Sequence, residues 1–331
     1  MLLRKLTTNN FNFEAGGNIT HLEIVYHTSP RPYKDGDHVV WLCHALTANS
    51  DPHDWWPEMV GSGCCVDPDK DFVVCVNIFG SAYGTTGPRS IKNCLDFPRF
   101  TVRDTARLFT LVRHQLGIKQ VDLLIGSSIG GFHALEWAIM EGDVIRHAAF
   151  IATAPRVSPW LSAWMEVQRI ALETDPTFRA CKDVRRGQKG LETARAISLI
   201  SYRSFDGYNL TQYETNDDCL FASRAASYER YQGEKLVNRG FDAYSYYYLL
   251  HCVDSQNVGR HRGGIVHALA QIKAKSIVIA ITSDGLFPPC ESKDWAQYIP
   301  NSQYFQIESR FGHDGFLLET DQITNILQQL Q

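Results

Sequence analysis

The sequence lacks any apolar stretch approaching the eighteen residues that a membrane-spanning helix needs. It lacks a run of Lys or Arg, and its net charge is −4. That argues against a basic face for nucleic acid or for an anionic membrane. It lacks a C-x-x-C spacing, and its nine cysteines are odd in number and scattered. Cys43, Cys75 and Cys252 lie in apolar contexts, so the cysteines are read as reduced thiols and mostly small core residues. There is no H-E-x-x-H, and the twelve histidines show no pair at helical ligand spacing. No metal is therefore expected. The opening residues, MLLRKLTTNNFNF, carry no apolar segment of the secretory type, so a cytoplasmic location is expected. Internal repeats and low-complexity segments are also missing.

What is present suits a globular chain. The 331 residues are enough for one large α/β domain with an insertion, and a hydrophobic fraction of 44% is ordinary. The stretch that organises the rest is Val121–Trp137, VDLLIGSSIGGFHALEW. Its apolar start has the length of a buried strand. It passes through Gly126-Ser127-Ser128-Ile129-Gly130 and continues in a helical pattern. This is G-x-S-x-G at a strand-to-helix turn, the nucleophile elbow of the α/β-hydrolase fold. A tight turn demands small flanking residues, here Gly126, Gly130 and Gly131. Ser128 stands at its tip, and the helix it opens directs partial positive charge at an anion formed there.

The remaining segments fall into place around this elbow. Strands are expected at His21–His27, His38–Cys43, Asp71–Asn77, His147–Ala152, Ser276–Ile281 and Gln303–Ile307. A helix is expected over Phe100–Leu116, capped by Thr101 and closed by Gly117. Asp51–Trp56 (DPHDWW) reads as a surface loop. The glycine-rich IFGSAYGTTGP, residues 78–88, follows a strand's carboxyl end, where α/β sheets place their ligands. It has no G-K-[ST], so it is not a P-loop. From Val157 to about Val266 strand alternation gives way to helical patterning, including a tyrosine-rich run over Tyr228–Cys252. The expected fold is a mostly parallel sheet with helices on both faces and an inserted helical lid. The core spans residues 1–156 and 267–331, the lid 157–266. Phe316–Leu330 reads as a closing amphipathic helix.

Three residues form a catalytic candidate. Ser128, Asp284 and His313 follow the chain order of the α/β-hydrolase triad and fall at an elbow, past a late strand, and in a loop before the last helix. His313 would take the serine proton, and Asp284 would orient the ring. The loop after the His38–Cys43 strand and the residue after the nucleophile would supply oxyanion-hole N–H groups, at Leu46 and Ile129. His44 is read as a buried histidine bracing that loop.

Several segments together resemble the homoserine O-acetyltransferase family: HALTANS (44–50), DFVVCVNIFGSAYGTTGP (71–88), GSSIGGFHALEWA (126–138), EVQRIAL (166–172), ISYRSF (200–205), GFDAYSYYYL (240–249), DSQNVGRHRGG (254–264) and GHDGF (312–316). The family commonly has Gly and Met where this elbow has Ser127 and Ile129. The resemblance implies ping-pong transfer of an acyl group from acetyl-coenzyme A, a substrate rather than a resident cofactor, to the hydroxyl of L-homoserine. It implies that Arg203 binds the acceptor's carboxylate and Asp314 its ammonium group. It also implies a homodimer through the lid. Succinyl-coenzyme A as donor, serine as acceptor, and an esterase or thioesterase on the same scaffold stay open at this point.

Overall fold

The computed structural model describes residues 1–180, 183 and 185–330. Eight strands form its sheet: β1 (Leu2–Asn12), β2 (Asn18–Thr28), β3 (Val39–Cys43), β4 (Phe72–Val76), β5 (Val121–Ser127), β6 (Ile145–Ile151), β7 (Lys275–Ile281) and β8 (Ser302–Ile307). They lie in the order β1-β2-β4-β3-β5-β6-β7-β8. β1 and β2 are antiparallel additions at one edge, and the strands from β4 to β8 run parallel.

The central strands are apolar without a break because helices cover both faces. Their alternate side chains feed two separate cores. Val39, Trp41 and Cys43 join the core beneath the elbow helix (Ile129–Met140) and the helix Val102–Leu116. Val40 and Leu42 join the opposite core, with Trp56, Met59, Ile323 and Leu327. The helix Val102–Leu116 starts with a full capping box between Thr101 and Asp104 and ends at Gly117 with φ 70°. Together these layers fix the carboxyl end of β5, where Ser128 sits.

Between β6 and β7 the chain is helical. Five helices of eight residues or more make the lid: Pro159–Thr174, Gln188–Tyr202, Phe205–Gln212, Arg224–Asn238 and Ala243–Asp254. The tyrosine-rich run is largely lid core. Buried Tyr244 donates to the Phe178 carbonyl at 2.8 Å, and Tyr246 to Gln168 Oε1 at 2.6 Å. Tyr248 donates to the carbonyls of Leu95 and Phe97, at 2.9 and 2.6 Å, which bolts the lid to the sheet domain. Tyr231 points outward.

Three expectations need correction. Residues 1–37 read as an edge of the sheet, which they are, but with a strand only at His21–His27; β1 is a second one, and LLRKLTTNNFN, mostly exposed, owes its strand to a ten-pair ladder with β2. DPHDWW is not a surface loop throughout: Pro52–Trp55 is a helical turn capped by Asp51, and Trp56 is buried. The closing helix is broken. Gly315–Leu318 and Thr320–Leu327 are separate, with Glu319 at ψ 47° between them. Among the described residues no helix is long and apolar enough to cross a membrane. The eight described cysteines are free thiols, and Cys181 lies outside the described residues.

Candidate active site

Ser128 caps the elbow helix at φ 57° and ψ −127°, a conformation that side chains rarely adopt. Surrounding contacts over-determine it. Its N–H donates to the Ile151 carbonyl at 3.0 Å, and its carbonyl accepts from Thr153 Oγ1 at 2.9 Å. The turn is so tight that a Cβ on Gly130 would lie 2.0 Å from the Cys43 carbonyl oxygen. Only glycine lets the elbow helix pass that close to β3.

Two loops bring the partners. β7 ends at Ile281, and Asp284 follows in the turn beyond it. Asp284 Oδ1 accepts the Leu286 and Phe287 N–H groups at 2.8 and 2.9 Å, leaving Oδ2 for another donor. That donor is His313, whose Nδ1 lies 2.8 Å from Oδ2. His313 Nε2 lies 2.8 Å from Ser128 Oγ. Asp284 and His313 are both buried, and the histidine ring is wedged among Phe287, Phe316 and Tyr202 with centroids 5.2, 5.4 and 5.8 Å away. With Nδ1–H given to a carboxylate, Nε2 is left as an acceptor facing the serine hydroxyl.

The histidine loop is held by the lid. Gly312, at φ 67°, would bring a Cβ within 2.6 Å of the Tyr202 carbonyl. Ser204 Oγ donates to the Arg310 carbonyl, and Arg203 Nε lies 3.0 Å from Asp314 Oδ2. The Arg203–Asp314 pair is a close charge contact rather than an aligned hydrogen bond. Burial pushes the Asp314 carboxyl above the usual range, and Arg203 opposes that rise.

A narrow cavity of about 20 Å³ opens onto Ser128. Leu46 and Ile129 line it, and no hydrogen bond to the N–H of either is found among the described residues. Its other walls are Phe132, Leu161, Met165, Tyr202, Val253, Leu286 and Phe287. His44 lies behind it, fully buried. Its Nδ1–H donates to the Ala45 carbonyl at 2.8 Å and its Nε2 accepts from Ile78 N–H at 3.2 Å. Burial lowers its pKa to about 4, so the ring is a neutral brace for the loop.

The structure thus brings all seven sequence-named residues to one place: Ser128, Asp284 and His313 in a hydrogen-bonded chain, Leu46 and Ile129 at the cavity, Arg203 and Asp314 paired beside the histidine. Sequence reasoning missed the apolar walls. Leu161, Met165, Tyr202 and Val253 come from three lid helices, and Leu286 and Phe287 from the loop after Asp284. Only Tyr202 carried a signal, as the neighbour of Arg203. Among the described residues no group of three or more His, Cys, Asp or Glu could hold a metal.

The α/β-hydrolase fold model matches residues 38–320. A homoserine O-acetyltransferase of Cyclobacterium marinum is 38% identical over 326 residues, spanning 96% of this chain and 91% of its own length. Among solved structures, the homoserine O-acetyltransferase from Bacillus anthracis aligns with a TM-score of 0.91 at 21% identity, over 99% of this chain and 97% of its own. Esterase E22 aligns with a TM-score of 0.88 at 21% identity, over 99% and 100%. At that identity both structures speak for the fold alone. The sequence match says more, and the chain belongs to the homoserine O-acetyltransferase family of the α/β-hydrolase fold.

Proposed function

We propose that this protein transfers an acetyl group from acetyl-coenzyme A to the hydroxyl of L-homoserine through an acyl-enzyme on Ser128. The observation that carries the reading is the Ser128–His313–Asp284 chain opening on a narrow apolar cavity under a charged lid.

In the first half, His313 Nε2 accepts the serine proton as Oγ attacks the thioester carbonyl. The carbonyl oxygen becomes an oxyanion, and the N–H groups of Leu46 and Ile129, at the cavity and without a partner among the described residues, receive it. One such donor is worth about 2.7–4 kcal/mol. The carbon–sulfur bond then breaks, and the proton leaves with the coenzyme A thiol. In the second half, His313 takes the proton of the homoserine hydroxyl as that oxygen attacks the acyl-serine ester. The tetrahedral intermediate collapses, Ser128 regains its proton, and O-acetyl-homoserine leaves. Asp284 stays ionised and holds the ring in the Nε2-acceptor tautomer.

The cavity walls support acetyl over succinyl. A succinyl tip carries a carboxylate, and burying one without a cation is expensive. Among the described residues no Lys or Arg lines the cavity at Ser128. The lid supports an amino-acid acceptor. Arg203 and Asp314 offer one charge of each sign beside His313, so a zwitterion can replace the contact between them with a pair of contacts of its own. We further propose that the lid, residues 157–266, forms a homodimer interface in a cytoplasmic protein. Exposed Phe205, Leu210, Tyr213, Leu220 and Phe221 on the lid support that interface.

Free-thiol release tests the reading. Acetyl- and succinyl-coenzyme A are each presented with L-homoserine, L-serine and water. Release from acetyl-coenzyme A that depends on homoserine is expected. Equal release with water alone would instead make the protein a thioesterase.

A further inference from the structure

A second cavity, of about 580 Å³, lies where the chain leaves the sheet for the lid. That volume falls within the range of small-molecule sites, about 300–1,000 Å³. The segment 154–159 and Ser162 form one side of it, and the helix Pro289–Ala296 forms the other. It shares no wall residue with the cavity at Ser128.

The two sides carry opposite charge. Arg156 stands on the lid side, and its exposed guanidinium meets no carboxylate and no hydrogen-bond acceptor among the described residues. Its backbone is pinned by a bridge to Asn257: Val157 N–H donates to the Gln256 carbonyl at 3.0 Å, and Val258 N–H to the Pro155 carbonyl at 2.9 Å. Ser158 caps the lid helix Pro159–Thr174 on the same wall, so the positive end of that helix adds to Arg156. Glu291 and Asp294 stand on the other side, one helical turn apart on one face. Neither pairs with a cation among the described residues. Burial and then Asp294 push the Glu291 carboxyl up, and no cation opposes them. Trp295, next to Asp294, is only 5% exposed, and its indole N–H is buried without an acceptor. A buried donor left unmade is costly, so this one calls for an acceptor from outside the chain. The remaining walls, Ala154, Pro155, Val157 and Pro159, are apolar.

We propose that this cavity is a second binding site, for a free α-amino acid with an apolar side chain. The carboxylate takes the Arg156 fork and the Trp295 N–H. The ammonium group takes Glu291 and Asp294, and the side chain packs on the prolines and Val157. Charge decides the class. A phosphate-bearing ligand, such as the nucleotide end of coenzyme A, would meet one cation and two carboxylates. A plain amine would leave Arg156 and the indole N–H unused. The site stands apart from the acceptor contacts at Arg203 and Asp314, yet it adjoins the catalytic framework on both sides. Thr153 Oγ1 holds the Ser128 carbonyl at 2.9 Å, and Trp160 Nε1 donates to the carbonyl of Gly285, the neighbour of Asp284, at 2.8 Å. An occupant therefore joins the first turn of the lid to the helix that follows the Asp284 turn.

Titration calorimetry on the full chain tests this, with L-leucine, L-norleucine and L-phenylalanine as probes. At least one of them is expected to bind, one per chain, with a Kd below about 10 mM. Its N-acetyl and amide derivatives, which lack the ammonium or the carboxylate, are expected to bind about tenfold more weakly or worse. Arg156→Gln and Trp295→Phe are each expected to weaken the amino acid about tenfold. Both should leave kcat/KM for homoserine within about twofold of wild type. Arg203→Gln is expected to leave the affinity unchanged, which separates this site from the acceptor site. Should Trp295→Phe fail to fold, the exposed Arg156→Gln carries the test. No binding by any probe, or affinity lost in Arg203→Gln but kept in Arg156→Gln, would overturn the assignment. Displacement of the probe by adenosine 3′,5′-bisphosphate would also overturn it, because the cavity would then serve coenzyme A. Wild type that ignores homoserine would sink the acceptor reading alone, since the calorimetry does not depend on turnover.

Discussion

Asp284→Asn is a change that the hydrogen-bond geometry turns into a sharp expectation. Asp284 uses its two oxygens differently. Oδ1 is fixed by the N–H groups of Leu286 and Phe287 at 2.8 and 2.9 Å, and Oδ2 meets His313 Nδ1 at 2.8 Å. An asparagine has one oxygen and one NH2 group. The two backbone donors keep the oxygen on their side, because the reverse orientation would face donors with donors. The NH2 group is then aimed at His313 Nδ1, which must accept. Nε2 carries the proton and donates to Ser128 Oγ, so the serine loses its base. A wrong tautomer of this kind lowers kcat about 10⁴-fold, a barrier rise of about 5 kcal/mol. Folding should survive, since every buried backbone donor keeps an acceptor. Asp284→Ala should behave differently: it orphans two buried N–H groups at about 1–3 kcal/mol each. The assay is homoserine-dependent thiol release beside thermal melting. A folded Asp284→Asn protein retaining more than about a tenth of the wild-type kcat would refute this reasoning.

Four other outcomes are expected. Gly130→Ala should destabilise by about 3 kcal/mol or more, because the new Cβ would meet the Cys43 carbonyl at 2.0 Å; a near-wild-type urea midpoint would contradict that. Stability should fall as pH drops from about 6.5 toward about 4. Burial holds His44 and His133 neutral in the fold, with pKa values near about 4 and about 3, whereas the unfolded chain protonates them near pH 6.5 and so binds more protons. Each adds up to about 1.4 kcal/mol per pH unit, and urea unfolding at stepped pH should show the slope shrink in His133→Phe. The KM for homoserine should rise on acidification at a pH above the ordinary carboxylate range, because burial raises Asp314; in Asp314→Asn that dependence should vanish. Leu161→Ala should widen the cavity and improve propionyl- relative to acetyl-coenzyme A, at a stability loss of about 2–5 kcal/mol.

Much of the site could be read from the sequence because each catalytic candidate lies beside a strand end with a strong local signal. Gly126 to Gly131 mark the turn, SIVIAI marks β7 before Asp284, and the last strand precedes His313. β1 gave no such signal. Its side chains are largely solvated, and its conformation is dictated by pairing with β2. The break at Glu319 was invisible because no Gly or Pro marks it. The cavity was hidden for a different reason: its walls come from segments scattered over Leu46 to Phe287, and only tertiary packing brings them together.

The central claim is an acyl-enzyme on Ser128, and the mass of the intact protein after brief mixing with acetyl-coenzyme A, without acceptor, tests it most directly. The account predicts a species heavier by one acetyl group, located on the peptide that contains Ser128, absent from Ser128→Ala, and lost on adding L-homoserine as O-acetyl-homoserine appears. Transfer to homoserine that proceeds at full rate in Ser128→Ala, with no acetylated protein at any time, would contradict it.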